Sequence, residues 1–329
     1  MTPNKIINIQ ALRALAALNV VFFHIIFNAN LYGYSVDFFD FLKGWGSNGV
    51  DLFFVISGFV MIYIQNEKNK SAVAFFKDRL VRIIPTYWLF CIAISLFLVI
   101  LPSLFKEMKF SSTYLLSSMF FLSGILAHKD PIVFVGWTIE YEILFYLLFS
   151  LSLFFRSLTW SFSVTSFILL ALVFFANVDF IVLEFIFGMI VGLIYVNKGM
   201  PSWLAAITFA LGAIVFLASI ILKDAGINRV VLYGLPSALV VFGCIGLKQI
   251  NDGLLSMLGD ASYSIYLIQI FTIPAFYKFA KALNLSVLYS DLMAILCLLL
   301  TSASGYFLYV VYEKRISNFL RLHKSIKFK

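Results

Sequence analysis

Ten stretches of this 329-residue chain are apolar over close to the length a helix needs to cross a membrane, about 20 residues. They lie at roughly 11–30, 50–66, 82–102, 136–155, 160–177, 180–197, 203–222, 229–248, 261–280 and 289–312. The runs are continuous, whereas the strands of a membrane β-barrel would alternate apolar and polar residues. The expected fold is therefore all-α: a polytopic integral-membrane bundle of about ten transmembrane helices. It forms a single membrane-embedded domain over 1–329 that ends in a basic cytoplasmic tail, 313–329. Composition supports this. Apolar residues make up 62% and charged residues 12% of the chain, where a soluble domain carries about 25% charged residues. A water-soluble enzyme, a disordered chain and a secreted disulfide scaffold are excluded. Cys91, Cys244 and Cys297 all lie inside apolar runs and read as small buried hydrophobes, not as a disulfide framework or a metal site. The first apolar run lacks an A-x-A-like cleavage site and continues into a polar loop and another span, so it reads as a retained helix.

The basic residues orient the bundle. The chain has 24 Lys and Arg against 16 Asp and Glu, a net charge of +8. With ten spans and a cytoplasmic N-terminus, 16 of the basic residues fall inside and 8 outside, as the enrichment of Lys and Arg in cytoplasmic loops requires. The apolar segment 113–127 is too short for a confident crossing, and an eleventh span there would move the basic tail outside. The segment 103–135 is therefore expected to be an outer loop that dips into the membrane. Trp45, Trp88, Trp137, Trp160 and Trp203 fall near the proposed span ends, as in an interfacial aromatic belt. No inverted repeat of the kind that marks secondary transporters is visible.

Ionisable side chains inside spans cost roughly 2.5–3.5 kcal/mol on insertion scales and mark functional sites. His24 follows Arg13 by eleven residues, which is about 16 Å along a helix and three turns plus about 20°, so the two share a face. A structural histidine bonded to a neighbouring helix is the alternative. Glu140 and Glu142 lie about 200° apart on their helix and cannot face one site; either alone also fits a helix N-terminus. Arg79 and Arg82, at i and i+3, share a face and suit a polyphosphate, or else simple anchoring at the lipid headgroups. Pro85 is expected in the first turns of that helix, where its missing N–H costs little. Asp51 opens the second span, and Ser57 and Gly58 interrupt it with small side chains that suit helix packing. Glu184 sits within the sixth span. Asp260 and Ser262 read as a plain helix start.

These motifs, in order, resemble the membrane-bound acyltransferase 3 family, most closely its exopolysaccharide O-acetyltransferase branch. The resemblance rests on IQALRALAALNVVFFH with its Arg-x10-His spacing, GVDLFFVISGF, the R-x-x-R pair before IIPTYW, WTIEYEILFYLLF and LGDASYSIYLIQ, over about residues 8–270. It implies an integral-membrane O-acyltransferase that moves an acyl group, usually acetyl, from acyl-CoA to a sugar hydroxyl of a cell-surface polysaccharide or glycoconjugate. Under it, His24 and Glu142 are catalytic, with His24 the general base and Glu142 its possible partner. Arg79, Arg82 and Arg13 bind the acetyl-CoA, and no metal is expected. Glu140 falls where the family often has a small polar residue, and Gln269 where it commonly has His. Expected partners are acyl-CoA, a polysaccharide or lipid-linked sugar acceptor, and membrane lipids, with no nucleic acid; the expected location is the bacterial inner membrane. Two rival functions are a flippase or transporter for a lipid-linked sugar and a non-catalytic subunit of a polysaccharide synthase.

The charge division carries its own test: reporter fusions after residue 329 should report a cytoplasmic C-terminus. An extracytoplasmic signal would instead promote 113–127 to a full span.

Overall fold

The computed structural model describes residues 5–102, 109–124 and 130–326, with side chains as far as Arg321. Among these residues the elements are helical, with no strand. The long helices are α1 (Ile7–Leu31), α2 (Gly49–Lys68) and α3 (Ala72–Ile100). A short α4 (Ser112–Met119) precedes α5 (Trp137–Ser152), α6 (Leu158–Ala176), α7 (Leu183–Lys198), α8 (Ser202–Leu222) and α9 (Leu235–Gly246). The chain closes with α10 (Leu254–Asp260), α11 (Ser262–Ala282), α12 (Ser290–Leu308) and α13 (Lys314–Ile326). The end of the bundle where α1 begins is called proximal below, and the other end distal.

The expected architecture is observed. Among the described residues, eight helices are long and apolar enough to cross a membrane. The α10–α11 pair, bent by 74°, accounts for a ninth span, and the shorter apolar helix Val230–Gly246 lies at the position of the remaining one. Burial divides the helices into inner and outer sets. In the most apolar window of each, 72% of α2 is buried inside the protein, against 28% for α6 and 22% for α8. Thus α2 is central, while α6 and α8 present Phe167, Phe174, Phe175, Ile214 and Ile221 outward.

Local chemistry explains the ends and the contacts. Asn69 and Asn177 take left-handed conformations where α2 and α6 stop, a role Asn fills at low cost. Ser71 and Ser157 cap α3 and α6 by accepting from the amides of Ala74 and Trp160. At Gly58 and Gly188, α2 and α7 touch backbone to backbone: a Cβ on Gly58 would fall 2.1 Å from the Phe185 carbonyl oxygen, and one on Gly188 2.0 Å from that of Val55. Gly259 allows the same approach of α10 to α1, because a Cβ there would lie 2.0 Å from the Gln10 carbonyl oxygen.

Four details differ from expectation. The third span begins at Ala72, not near 82, because the amphipathic stretch AVAFFKDRLVR continues the helix behind its Ser71 cap. Pro85 therefore lies inside α3, where the Ile83 and Pro85 carbonyls accept from the Tyr263 and Tyr312 hydroxyls at 2.9 and 3.2 Å. Trp88 is consequently mid-helix, not near a helix end, and its indole N–H donates to the Met119 carbonyl at 2.9 Å. Asp260 does not cap α11; it ends α10 and pairs with Lys5 at 2.8 Å.

The Trp88–Met119 bond also places α4. Trp88 lies twelve residues, about 18 Å, from the distal end of α3, so α4 packs well down that helix. At eight residues, about 12 Å, α4 is too short to cross. Glu140 helps hold this loop, accepting from the Ser123 and Gly124 amides at 3.1 and 3.2 Å. The rest of the loop at 103–108 and 125–129, including Lys106 and Lys129, and the tail residues 327–329 lie outside the described residues.

Replacing Gly188 with Ala should force α2 and α7 apart and cost about 1–3 kcal/mol, the usual range for overpacking. A thiol-reactive dye reporting exposure of the buried Cys91, Cys244 and Cys297 on heating measures it; an unchanged midpoint would contradict the close contact.

Candidate active site

A cavity of about 80 Å³ opens among α1, α2, α3, α5 and α11. Its wall carries Arg13, Arg82, Ser57, Glu142, Tyr146 and Tyr263, with Thr138, Ser262 and Tyr266, among apolar side chains. Each polar group arrives from a different constraint. Gly58 faces α7, and the next side chain back along the helix, 100° away, is Ser57, which turns toward α5. There its hydroxyl donates to Glu142 Oε1 at 2.7 Å. Tyr146, one turn beyond Glu142 on α5, donates to the same oxygen and lies 3.3 Å from the Ser57 hydroxyl. Glu142 is thus held by two hydroxyls from two helices.

The cations sit toward the proximal end. Arg13 donates to the Ser262 hydroxyl at 2.9 Å and to Gln10 Oε1 at 3.5 Å. The bend at Ala261 delivers Ser262 to this position. Arg82 lines the cavity and makes no hydrogen bond with another described residue. Arg79, one turn earlier on α3, is buried with its guanidinium 5.6 Å from the Phe75 ring centroid, and its Nε has no partner. Glu313 closes the set. A π-helical turn at Tyr309–Glu313 tucks it inward, where its Oε2 accepts from the Ser264 hydroxyl at 2.5 Å within electrostatic reach of Arg82 and Arg13. Such turns recur at functional sites.

His24 lies beyond the cavity wall. Its ring stands edge-on to Phe23 and Phe134, with centroids 5.0 and 5.2 Å away, and makes no hydrogen bond with another described residue. Phe134 belongs to the short 3-10 turn that leads into α5. That turn is fixed from the cavity side: Tyr266 and Thr138, both on the wall, donate to the Val135 carbonyl at 2.8 and 3.1 Å.

Of the five expected site residues, the structure therefore brings Arg13, Arg82 and Glu142 to one cavity. It sets Arg79 just behind the cavity and His24 above it. The expected pairing of Glu142 with His24 is replaced by Ser57 and Tyr146, because α5 turns Glu142 toward α2, while Phe134 in the turn before α5 is what packs on His24. Gln269 is buried and donates to the Tyr266 carbonyl at 2.8 Å, leaving its Oε1 without a partner. The sequence reading missed Tyr146, although its i+4 spacing from Glu142 was a usable signal. It also missed the polar roles of Ser57, Ser262 and Ser264. Glu313, the acid that ends the last apolar run, was visible but had no assigned partner.

The Acyl_transf_3 acyltransferase domain matches residues 6–312 of this chain. The chain belongs to the acyltransferase 3 family. It is 32% identical over 269 residues to the exopolysaccharide production protein ExoZ of Rhizobium meliloti, covering 73% of this chain and 80% of that protein. It is 28% identical over 164 residues to the O-acetyltransferase OatA of Staphylococcus aureus, 46% of this chain but 25% of OatA. No solved structure matches. The cavity thus lies within the domain that defines this family of acyltransferases, in an integral membrane protein.

If the two hydroxyls hold Glu142 as described, Tyr146→Phe should cost about 1.5–3 kcal/mol, the range for a hydrogen bond to a charged group. Adding Glu142→Gln should cost less than the sum of the single changes. Thermal midpoints of the two single variants and the double measure this, and strict additivity would deny the contact.

Proposed function

We propose that this protein transfers an acyl group, acetyl in the first instance, from acyl-CoA to a hydroxyl of a cell-surface polysaccharide or glycoconjugate. The observation that carries the proposal is the cavity that joins Arg13 and Arg82 at its proximal end to Ser57 and Glu142 within the acyltransferase domain. The names of the relatives, an O-acetyltransferase and an exopolysaccharide production protein, support the reaction and the acceptor class. We assign the proximal end to the cytoplasm from the division of basic residues, with both termini cytoplasmic and the bundle in a bacterial inner membrane. Acyl-CoA then approaches from the side on which it is made.

The residues fit such a donor. A polyphosphate needs cationic forks that are not already spent, and Arg82 makes no hydrogen bond with another described residue. Arg13 is oriented by Ser262, and Arg79 adds positive potential from behind. Glu142 and Glu313 balance the buried cations in the absence of donor.

The chemistry divides along α1. Acyl transfer breaks the C–S bond of the thioester and forms a C–O bond to the acceptor. The hydroxyl proton must leave, and the departing thiolate must take one up. His24, about 16 Å from Arg13 and unencumbered by any hydrogen bond to its ring among the described residues, is the group proposed to accept the hydroxyl proton and return it to sulfur. Glu142, held by Ser57 and Tyr146, shares the cavity with Arg13 and Arg82.

Two expected outcomes test this with purified protein in nanodiscs and labelled acetyl-CoA. His24→Ala should lower turnover by at least about 10²-fold, the lower bound for general acid–base catalysis, with insertion intact. His24→Gln should be nearly as inactive, because an amide does not titrate near neutral pH; wild-type turnover in that variant would remove His24 from the chemistry. Arg82→Ala should raise KM for acetyl-CoA by about tenfold or more, as expected for loss of a charge-assisted bond, and Arg82→Lys should recover only part of it. Movement of a lipid-linked sugar without acylation would instead identify a flippase.

A further inference from the structure

At the distal end, α2, α7 and the π-helical turn Val230–Gly234 before α9 meet around ionisable side chains that the acyl-transfer site does not use. Asp51, in the first turn of α2, is fully buried. Arg229 clasps it in two places, Nε to Oδ1 at 3.0 Å and NH2 to Oδ2 at 2.5 Å, and also donates to the Ser47 carbonyl at 3.0 Å. Glu184, in the first turn of α7, is likewise fully buried, and neither of its carboxyl oxygens has a hydrogen-bond partner. It packs against Gly234, where an added Cβ would lie 2.8 Å from its Oε1.

The charges do not balance if both acids are ionised. The groups that face Glu184 are Asp51 on α2, Arg229 before α9, and Asp179 in the turn before its own helix. Arg229 also stacks on Tyr233, 5.7 Å from the ring centroid. The guanidinium is already committed to Asp51. An ionised Glu184 would be a desolvated anion beside another anion, with no donor directed at it. Buried groups in that position take up a proton. The neutral acid then has one O–H to place, and Asp51 is the acceptor that faces it.

We propose that Glu184 is held as a neutral carboxylic acid with its proton directed at Asp51, so that Glu184, Asp51 and Arg229 form a net-neutral unit tying the distal ends of α2, α7 and α9. Asp51 lies six residues before Ser57, less than two turns, so this unit also fixes the height at which Ser57 meets Glu142. That last consequence rests on the acyl-transfer proposal; the protonation does not.

The test is infrared spectroscopy of the full-length protein in nanodiscs at neutral pH. The wild-type minus Glu184→Gln difference spectrum should contain the carbonyl band of a protonated carboxylic acid, shifted in deuterated water. Glu184→Gln, which keeps the shape and a donor, should fold and unfold at a higher temperature than Glu184→Ala. Arg229→Gln should lower the yield of folded protein, and Asp51→Asn with Arg229→Gln should recover it, because the double change removes both charges together. A difference spectrum without the band, or a Glu184→Gln variant that fails to fold, would overturn the proposal. None of these readouts needs turnover, so their failure is distinguishable from failure of the acyl-transfer proposal.

Discussion

Lipid supplies no hydrophobic drive for one apolar helix to join another, so helices in a bilayer meet where small side chains let backbones approach and where polar groups find partners. Helix α2 depends on both. Its glycine contact with α7 fixes rotation, since Gly58 has to face the Phe185 carbonyl and only a glycine fits there. Its Asp51 clasp with Arg229 fixes height. Aromatic stacking fills the space between: Phe54 lies on Phe185 and Phe185 on Phe145, with centroids 4.4 and 4.2 Å apart, locking α2, α7 and α5 into one layer. With rotation and height set, Ser57 has one place to go, the carboxyl group of Glu142.

The site itself is a managed excess of charge. Two guanidinium groups line the cavity, with Arg79 behind, and Glu142 and Glu313 stand opposite them. A buried ion pair often fails to repay its desolvation, so such an arrangement is weak evidence for stability. Its persistence is better understood through binding. Arg13 and Glu142 have neutral hydroxyl partners in Ser262 and in Ser57 with Tyr146, and Glu313 has Ser264. Hydroxyls orient charged groups without cancelling them, which leaves net potential for a charged ligand.

Much of the bundle was legible in the sequence, and the limits have a physical cause. Hydrophobic runs mark spans because the hydrocarbon thickness is fixed, and helical period gives the direction of each side chain. Hence the all-helical membrane plan and the opposed faces of Glu140 and Glu142 could both be read. Period does not say which helix a face meets. Glu142 meets α2 and not His24, and Asp51 finds Arg229 across 178 residues of chain. The start of α3 was missed because the stretch from Ala72 to Arg82 is amphipathic, so a search for uniformly apolar runs cuts it off. Glu313 was missed because its burial depends on a π-helical turn, which shifts a side chain around the helix by an amount that no regular period predicts.

The separation of His24 from the charged cavity has a consequence for how the two halves act together. An imidazole placed among Arg13, Arg82 and Glu313 would have its protonation set by whichever charges were exposed at the time, and so by whether a polyanion was bound. Beyond the wall, its ring instead packs edge-on to Phe23 and Phe134. One short turn of backbone runs between the cavity and the imidazole. Tyr266 and Thr138 line the cavity and hold the Val135 carbonyl, and Val135 is the neighbour in sequence of Phe134, whose ring lies against the imidazole.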